Sequence, residues 1–300
     1  MGGWCDTSSP AHTQILDARS HTVSMRICRG GIALAAAATS TQPPHLPMRS
    51  QLARLLACAP AATGISGALG EVQKRLASAA DAAEMPAPRL VAVSKTKPVE
   101  LLREAYDAGM RDFGENYVQE LVSKAPEMPN DVAWRFIGKL QSNKAKLLVH
   151  GVPSLAVVET LDSAKLADRL EKAMQELSPL RSEPLGVMVQ VNTSPWEGSK
   201  GGVLAEEAPA LAAHVAAKCP SLRLTGLMTI GAPGKLACFT TLRECREAVA
   251  AELGIEAQAL ELSMGMSGDF EAAIAKGSSS VRVGSSIFGA RDYPPKAKEN

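Results

Sequence analysis

At 300 residues the chain has room for one large domain or two small ones, and 46% hydrophobic content with only 4% aromatic residues points to an aliphatic core of the kind that fills α/β sheets. A net charge of +1 with no run of five Lys or Arg excludes an electrostatic case for nucleic acid or an anionic membrane as partner. The six cysteines (Cys5, Cys28, Cys58, Cys219, Cys238, Cys245) form no CxxC pair and no His/Cys cluster at zinc spacing, so neither a disulfide framework nor a metal is expected.

Residues 1–60 differ from the rest. Their only acids are Asp6 and Asp17, their positive charge is all arginine (Arg19, Arg26, Arg29, Arg49, Arg54), and Ser, Thr and Ala abound. This is the composition of an organelle transit peptide or a disordered extension, and it predicts a mitochondrial or plastid protein; an upstream mis-called start, with Met25 or Met48 as the true first residue, would leave a cytoplasmic one. The apolar run Gly31 to Ala38 is too short to span a bilayer.

From Ile65 the text becomes periodic. A helix is expected over Ile65 to Ala83, with Leu69, Val72, Leu76 and Ala80 at three- and four-residue spacing. Short aliphatic runs then recur at Leu90–Val93, Asp112–Gly114, Trp134–Ile137, Leu155–Val158, Leu185–Val191, Leu222–Leu227, Ala259–Leu262 and Ser280–Val283. Helical stretches separate them, with start signals such as Pro98 before Leu101, and Asp162 or Ser163 before Leu166. Strands alternating with helices imply parallel pairing, and eight units in about 220 residues imply a single closed (β/α)8 TIM-type barrel over 65–293, with a tail at 294–300. An open doubly wound sheet would call for a Gly-rich turn after the first strand, where Ser94-Lys95-Thr96-Lys97 stands instead.

Barrels of this type place their chemistry after the strands' C-terminal ends. Here those positions are polar: Ser94 and Lys95, Glu115 and Asn116, Gly138, Asn192, Met228 and Thr229, then Ser263-Met264-Gly265-Met266-Ser267 and Gly284-Ser285-Ser286. Lys95, one step from Val91-Ala92-Val93, can form a Schiff base with an aldehyde if desolvated, whereas Lys97 abuts Pro98 and is expected outside; a solvated surface lysine is the plain alternative. Gly265 and Gly284 permit close backbone approach and Ser267 and Ser285 add hydroxyls at expected helix starts, which suits a phosphate after strands seven and eight or simply caps two helices. Arg282 lies between Val281 and Val283 on the opposite face of its strand. In the lumen it would need a partner such as a pyridine nitrogen, which it would keep unprotonated; outside, it would pair with a helix carboxylate.

Several ordered blocks sharpen this reading: Val91-Ala92-Val93-Ser94-Lys95-Thr96-Lys97-Pro98, Phe113-Gly114-Glu115-Asn116-Tyr117-Val118-Gln119-Glu120, Phe136-Ile137-Gly138-Lys139-Leu140-Gln141-Ser142-Asn143-Lys144, Val191-Asn192, Ser199-Lys200, Gly226-Leu227-Met228-Thr229-Ile230, Leu262 to Ser267, Val281-Arg282-Val283-Gly284 and Ile287-Phe288-Gly289. From about Ile65 to Tyr293 the chain resembles the pyridoxal phosphate homeostasis protein family, stand-alone relatives of the alanine racemase N-terminal domain.

The resemblance implies pyridoxal 5′-phosphate held as a Schiff base on Lys95, with Ser267, Gly284 and Ser285 around the phosphate, Arg282 at the pyridine nitrogen, and Asn116 and Met228 lining the ring. It implies intracellular cofactor homeostasis, carrying or buffering, without robust catalysis, with PLP-dependent apoenzymes as recipients; a monomer is expected. The alternative is a PLP-dependent amino-acid racemase. That chemistry needs a base on each face of the α-carbon, the second of which alanine racemases take from a further C-terminal domain, whereas only Pro294 to Asn300 follow this barrel. Tyr117 and His150 are candidates for a second base, each expected to be structural, Tyr117 packed and His150 at a helix end. The chain departs from the family at Arg135, where histidine is usual, at Ser285, where threonine is common, and in a short Gly231 to Cys238 segment.

Overall fold

The computed structural model describes residues 64–179, 181, 183–195 and 201–290. The extension at 1–60, Ser199-Lys200 and the 294–300 tail lie outside the described residues.

The chain enters through α1 (Ile65–Ala82), then alternates: β1 (Arg89–Val93), α2 (Val99–Asp107), β2 (Asp112–Glu115), α3 (Val118–Lys124), β3 (Ala133–Phe136), α4 (Ala145–Gly151), β4 (Leu155–Leu161), α5 (Ala164–Gln175) and β5 (Leu185–Gln190). It continues through α6 (Ala208–Lys218), β6 (Leu222–Met228), α7 (Ala237–Leu253), β7 (Glu261–Met266), α8 (Phe270–Ile274), β8 (Ser280–Val283) and α9 (Ser285–Phe288). Every strand is parallel to the next, and β8 pairs back onto β1, with Val91 opposite Arg282, so the sheet closes.

Period-two alternation sorts the strands' side chains between two cores. Facing the helices are Ala92, Phe113, Trp134, Phe136, Val281 and Val283, part of one large apolar cluster in which the Phe113 and Trp134 rings lie 5.8 Å apart. Inside the barrel the apolar content is small, chiefly Val157, Met188 and Met228, and charge fills the base of the lumen. There Arg135 pairs with Glu159 at 2.6 Å and reaches Asp112 and Glu261 at 3.4 Å, while Arg89 reaches the same two carboxylates at 3.3 and 3.4 Å.

The eighth unit is incomplete, because α9 is a single turn. The first helix makes up for it: α1 packs against α2, α8 and α9, burying Leu69, Val72 and Leu76, while Arg75 lies 4.7 Å from the Phe270 ring centroid and pairs with Glu271.

Two start signals appear as expected: Pro98 is the N-cap of α2, and the Ser163 hydroxyl accepts from the Leu166 amide at 3.3 Å. The seventh strand is displaced. Ala257–Ala259 is a turn of 3-10 helix and β7 runs from Glu261 to Met266, so Ser263, Met264 and Gly265 belong to the barrel wall rather than to the loop expected from their polarity.

Candidate functional site

At the C-terminal mouth the strand ends enclose a cavity of about 290 Å³. All seven residues singled out from the sequence, Lys95, Asn116, Met228, Ser267, Arg282, Gly284 and Ser285, line it. They share a cavity because Lys95, Asn116, Met228, Arg282 and Gly284 fall on the lumen side at or just past the C-terminal ends of β1, β2, β6 and β8, while Ser267 follows β7 and Ser285 opens α9. Val93, Ile137 and Ile230 complete its apolar walls.

Lys95 and Asn116 stand side by side, since the last register pair of β1 and β2 joins Val93 to Gly114. Asn116 Oδ1 is buried and has no hydrogen-bond partner among the described residues, an acceptor whose desolvation cost is unmet by the protein alone. On the other side of β1, which pairs with β8, the Ser267 hydroxyl accepts from the Gly284 amide at 3.2 Å, tying the β7 loop to the β8 loop. Ser267 is therefore not a helix cap; Asp269 is the N-cap of α8, and its carboxylate accepts from the Met266 amide at 2.7 Å. Gly284 sits where a Cβ would come within 3.2 Å of the Val93 carbonyl, and with Gly268 it leaves main chain open to the cavity.

Arg282 points inward, which settles the choice left by the alternation. It is 5% exposed, and its guanidinium donates to the Ser263 hydroxyl at 2.6 Å and to the Thr229 carbonyl at 2.7 Å. Ser263 in turn donates to Glu159 Oε2 at 2.6 Å, and Glu159 Oε1 accepts from Arg135 Nε at 2.6 Å. One carboxylate thus links two buried arginines, Arg135 directly and Arg282 through Ser263, in a polar file that runs down the lumen, with Asp112 and Glu261 adding negative charge at Arg135. Burial pushes the Arg282 guanidinium below its ordinary pKa, with Glu159 opposing. Burial also works to raise the Glu159 carboxyl, but Arg135 and then Arg282 overcome it and hold the group below the usual range. Arg135, the departure from the usual histidine, belongs to the base of this file and is absent from the cavity lining.

Several expectations need correction. Lys97 is not outside: it is 9% exposed, lines the same cavity and donates to the Ala290 carbonyl at 2.6 Å. The turn Ser94 to Lys97 brings both lysines to the mouth, which the helix-start signal at Pro98 concealed. Tyr117 is not packed but 56% exposed, at the N-cap of α3. His150 does end α4, where its Nε2 lies 3.1 Å from the Ala173 carbonyl, and neither it nor Tyr117 lines the cavity. The sequence also gave no hint of Ser263, Glu159 or Thr229 as the support of Arg282. Nor did spacing foretell that Asp168, His214 and Cys219, around α5 and α6, bring possible ligand atoms within 4.8 Å of one another.

Comparison with known proteins matches the alanine racemase N-terminal domain family to residues 68–292. The chain is 47% identical over 248 residues to the pyridoxal phosphate homeostasis protein of Mus musculus, covering 78% of this chain and 89% of that one. With the protein of the same name from Pseudomonas aeruginosa it shares 43% identity over 233 residues, 75% and 95% of the two chains. Among solved structures it is similar to PipY of Synechococcus elongatus PCC7942 with PLP bound, at 33% identity and a TM-score of 0.62, covering 75% of this chain and 100% of that one.

Proposed function

The chain belongs to the alanine racemase N-terminal domain family and, within it, to the pyridoxal phosphate homeostasis proteins, and on that premise we propose that it binds pyridoxal 5′-phosphate through Lys95 and acts as an intracellular carrier and buffer of that cofactor. The observation that carries this reading is the set of polar groups in one cavity: the primary amines of Lys95 and Lys97, an arginine, an unpartnered amide oxygen and two serine hydroxyls around a volume of about 290 Å³. That volume lies at the small end of ligand pockets and suits one substituted ring with a phosphate.

The residues present fit the group. Pyridoxal phosphate brings an aldehyde that condenses with a primary amine, releasing water, and a phosphate that needs anion-binding donors. Lys95 offers the amine at the end of β1. Ser267 and Ser285 offer hydroxyls, and Gly268 and Gly284 leave main chain open to the cavity, in the β7 and β8 loops beside β1. Val93, Ile137, Met228 and Ile230 form the apolar walls that exclude water. Arg282 presents a guanidinium fixed by Ser263 and Thr229; it can donate a hydrogen bond to a ring nitrogen but does not surrender a proton. A ring nitrogen left unprotonated stabilises carbanions poorly, which favours holding over turnover.

The test is visible absorbance after incubation with pyridoxal phosphate. Wild type is expected to colour and Lys95→Ala to stay colourless; a colourless wild type would end the reading. Mixing the coloured protein with L-alanine in deuterated water separates carrier from racemase, and rapid α-proton exchange with inversion would favour the racemase. PLP-dependent apoenzymes are the proposed recipients, tested by activating one with the loaded protein, and a monomer is the proposed state, tested by sedimentation. The composition of residues 1–60 supports import into a mitochondrion or plastid. A reporter fused to those residues and left in the cytosol would remove that part.

A further inference from the structure

Resting on the reading that the cofactor is carried by a cavity lysine, we infer that Lys124 and Glu120 of α3 form a clamp that positions Lys95 and selects it over Lys97 as the attachment residue. Both lysines line the cavity, and both are primary amines, so their chemistry alone does not choose between them. Geometry does.

The strand ends alternate. Lys95 and Asn116 face the lumen, so their predecessors Ser94 and Glu115 face outward, buried between the barrel wall and α3. Lys124 fills that space at 6% exposure. Its ammonium has three N–H donors and finds three acceptors: the Ser94 carbonyl at 2.9 Å, Glu115 Oε1 at 2.8 Å and Glu120 Oε1 at 2.6 Å. The Ser94 hydroxyl adds a bond to Glu115 Oε1 at 2.8 Å. Glu120 Oε1 also accepts from the Thr96 amide at 2.6 Å.

The Ser94 carbonyl belongs to the peptide unit entering Lys95, and the Thr96 N–H to the unit leaving it. One ion-pair cluster therefore grips both peptide planes that bracket the lysine. The grip has strain to hold, because Thr96 sits at φ +62°, a left-handed conformation that a β-branched residue rarely adopts. Lys97 is restrained separately, through the Ala290 carbonyl. The clamp thereby fixes the backbone from which Lys95 projects at the cavity, and about 1 Å of drift in the Ser94 to Lys97 turn is enough to spoil a reacting placement.

The experiment loads the full-length protein with pyridoxal phosphate, traps the linkage with borohydride, and maps the labelled lysine by peptide mass spectrometry. Wild type is expected to carry label on Lys95. In Lys124→Met and in Glu120→Ala the Lys97 to Lys95 label ratio is expected to rise roughly tenfold, the scale of losing a hydrogen bond to a charged group, and cofactor release to quicken. Glu120 is only partly buried, so Glu120→Ala decides the matter should Lys124→Met fail to fold. Folded variants that keep label on Lys95 with wild-type release rates would overturn the clamp, as would loss of label from Lys95 with no gain at Lys97. A wild type that takes no label at all would instead overturn the cofactor reading itself.

Discussion

Ser263 holds two charged groups with one hydroxyl, accepting from Arg282 and donating to Glu159, each at 2.6 Å. Ser263→Ala removes both bonds at once inside a site with no room for bulk water. Leaving buried charged partners unsatisfied costs about 1–3 kcal/mol or more, so urea denaturation is expected to show a loss of that order, together with weaker cofactor binding as the Arg282 guanidinium loosens. A substitution without effect on either would show that Arg282 needs no support from below. Glu159 supplies the pH dependence. Its carboxyl is held below the ordinary value by Arg135 and Arg282 in spite of burial, so the stability it contributes is complete above the unfolded carboxylate range and is lost as pH falls through the lowered folded value. The stability gap between wild type and Glu159→Gln is therefore expected to be widest near neutrality and to narrow in acid; denaturation at a series of pH values checks it, and a constant gap would contradict it. Of the charged pair Arg282 and Glu159 the sequence showed only Arg282, because a cation alternating with two valines stands out locally. Glu159 stayed hidden because its partner Ser263 is 104 positions away in the chain.

Two elements meet closely at the mouths of β2 and β3. A Cβ added to Gly138 would overlap the main chain of Asn116, with the carbonyl oxygen, carbonyl carbon and Cα all in the way. None of those atoms is the far end of a flexible side chain, so the two strand ends must separate. Gly138→Ala is accordingly expected to displace Asn116 from the cavity wall and to abolish or greatly weaken coloration by pyridoxal phosphate, with a fall in thermal stability of the 1–3 kcal/mol usual for overpacking. Normal coloration at wild-type stability would mean that the strands give way elsewhere. At this scale the sequence was legible wherever apolar residues carry the strand, as in β1, β5 and β8, whose bounds fall within one residue of those expected. It failed at β7, where Ser263 and Gly265 look like loop residues. The lumen they face is polar, so the apolar signal is missing from the strand that needs it most. The turn from Ser94 to Lys97 was misread for a related reason: Pro98 marks a helix start, but nothing local says that the residue before it folds back over the cavity.

Across the whole molecule, the order of strands was readable from alternation and length, because eight parallel strands joined by helices leave few closed arrangements. The substitution of α1 for a full-length eighth helix was not, since it depends on α9 stopping after one turn at Gly289, whose φ of +76° ends the helix. That closure has a measurable consequence. The cavity draws its walls from β1, β2, β3, β6, β7 and β8 or the loops that follow them, so a ligand there ties together strands from both ends of the described chain. A ligand bound at about 100 times its Kd stabilises the folded state by about 2.7 kcal/mol. In a barrel of this size each kcal/mol raises Tm by about 2–4 °C, so saturating pyridoxal phosphate is expected to shift the melting of wild type upward by roughly 5–10 °C in one cooperative transition. In Lys95→Ala only the non-covalent contacts of the phosphate and ring remain, and the shift is expected to shrink to a small part of that. Equal shifts in the two proteins, read by differential scanning calorimetry, would mean that the phosphate wall and Arg282 hold the cofactor without the lysine.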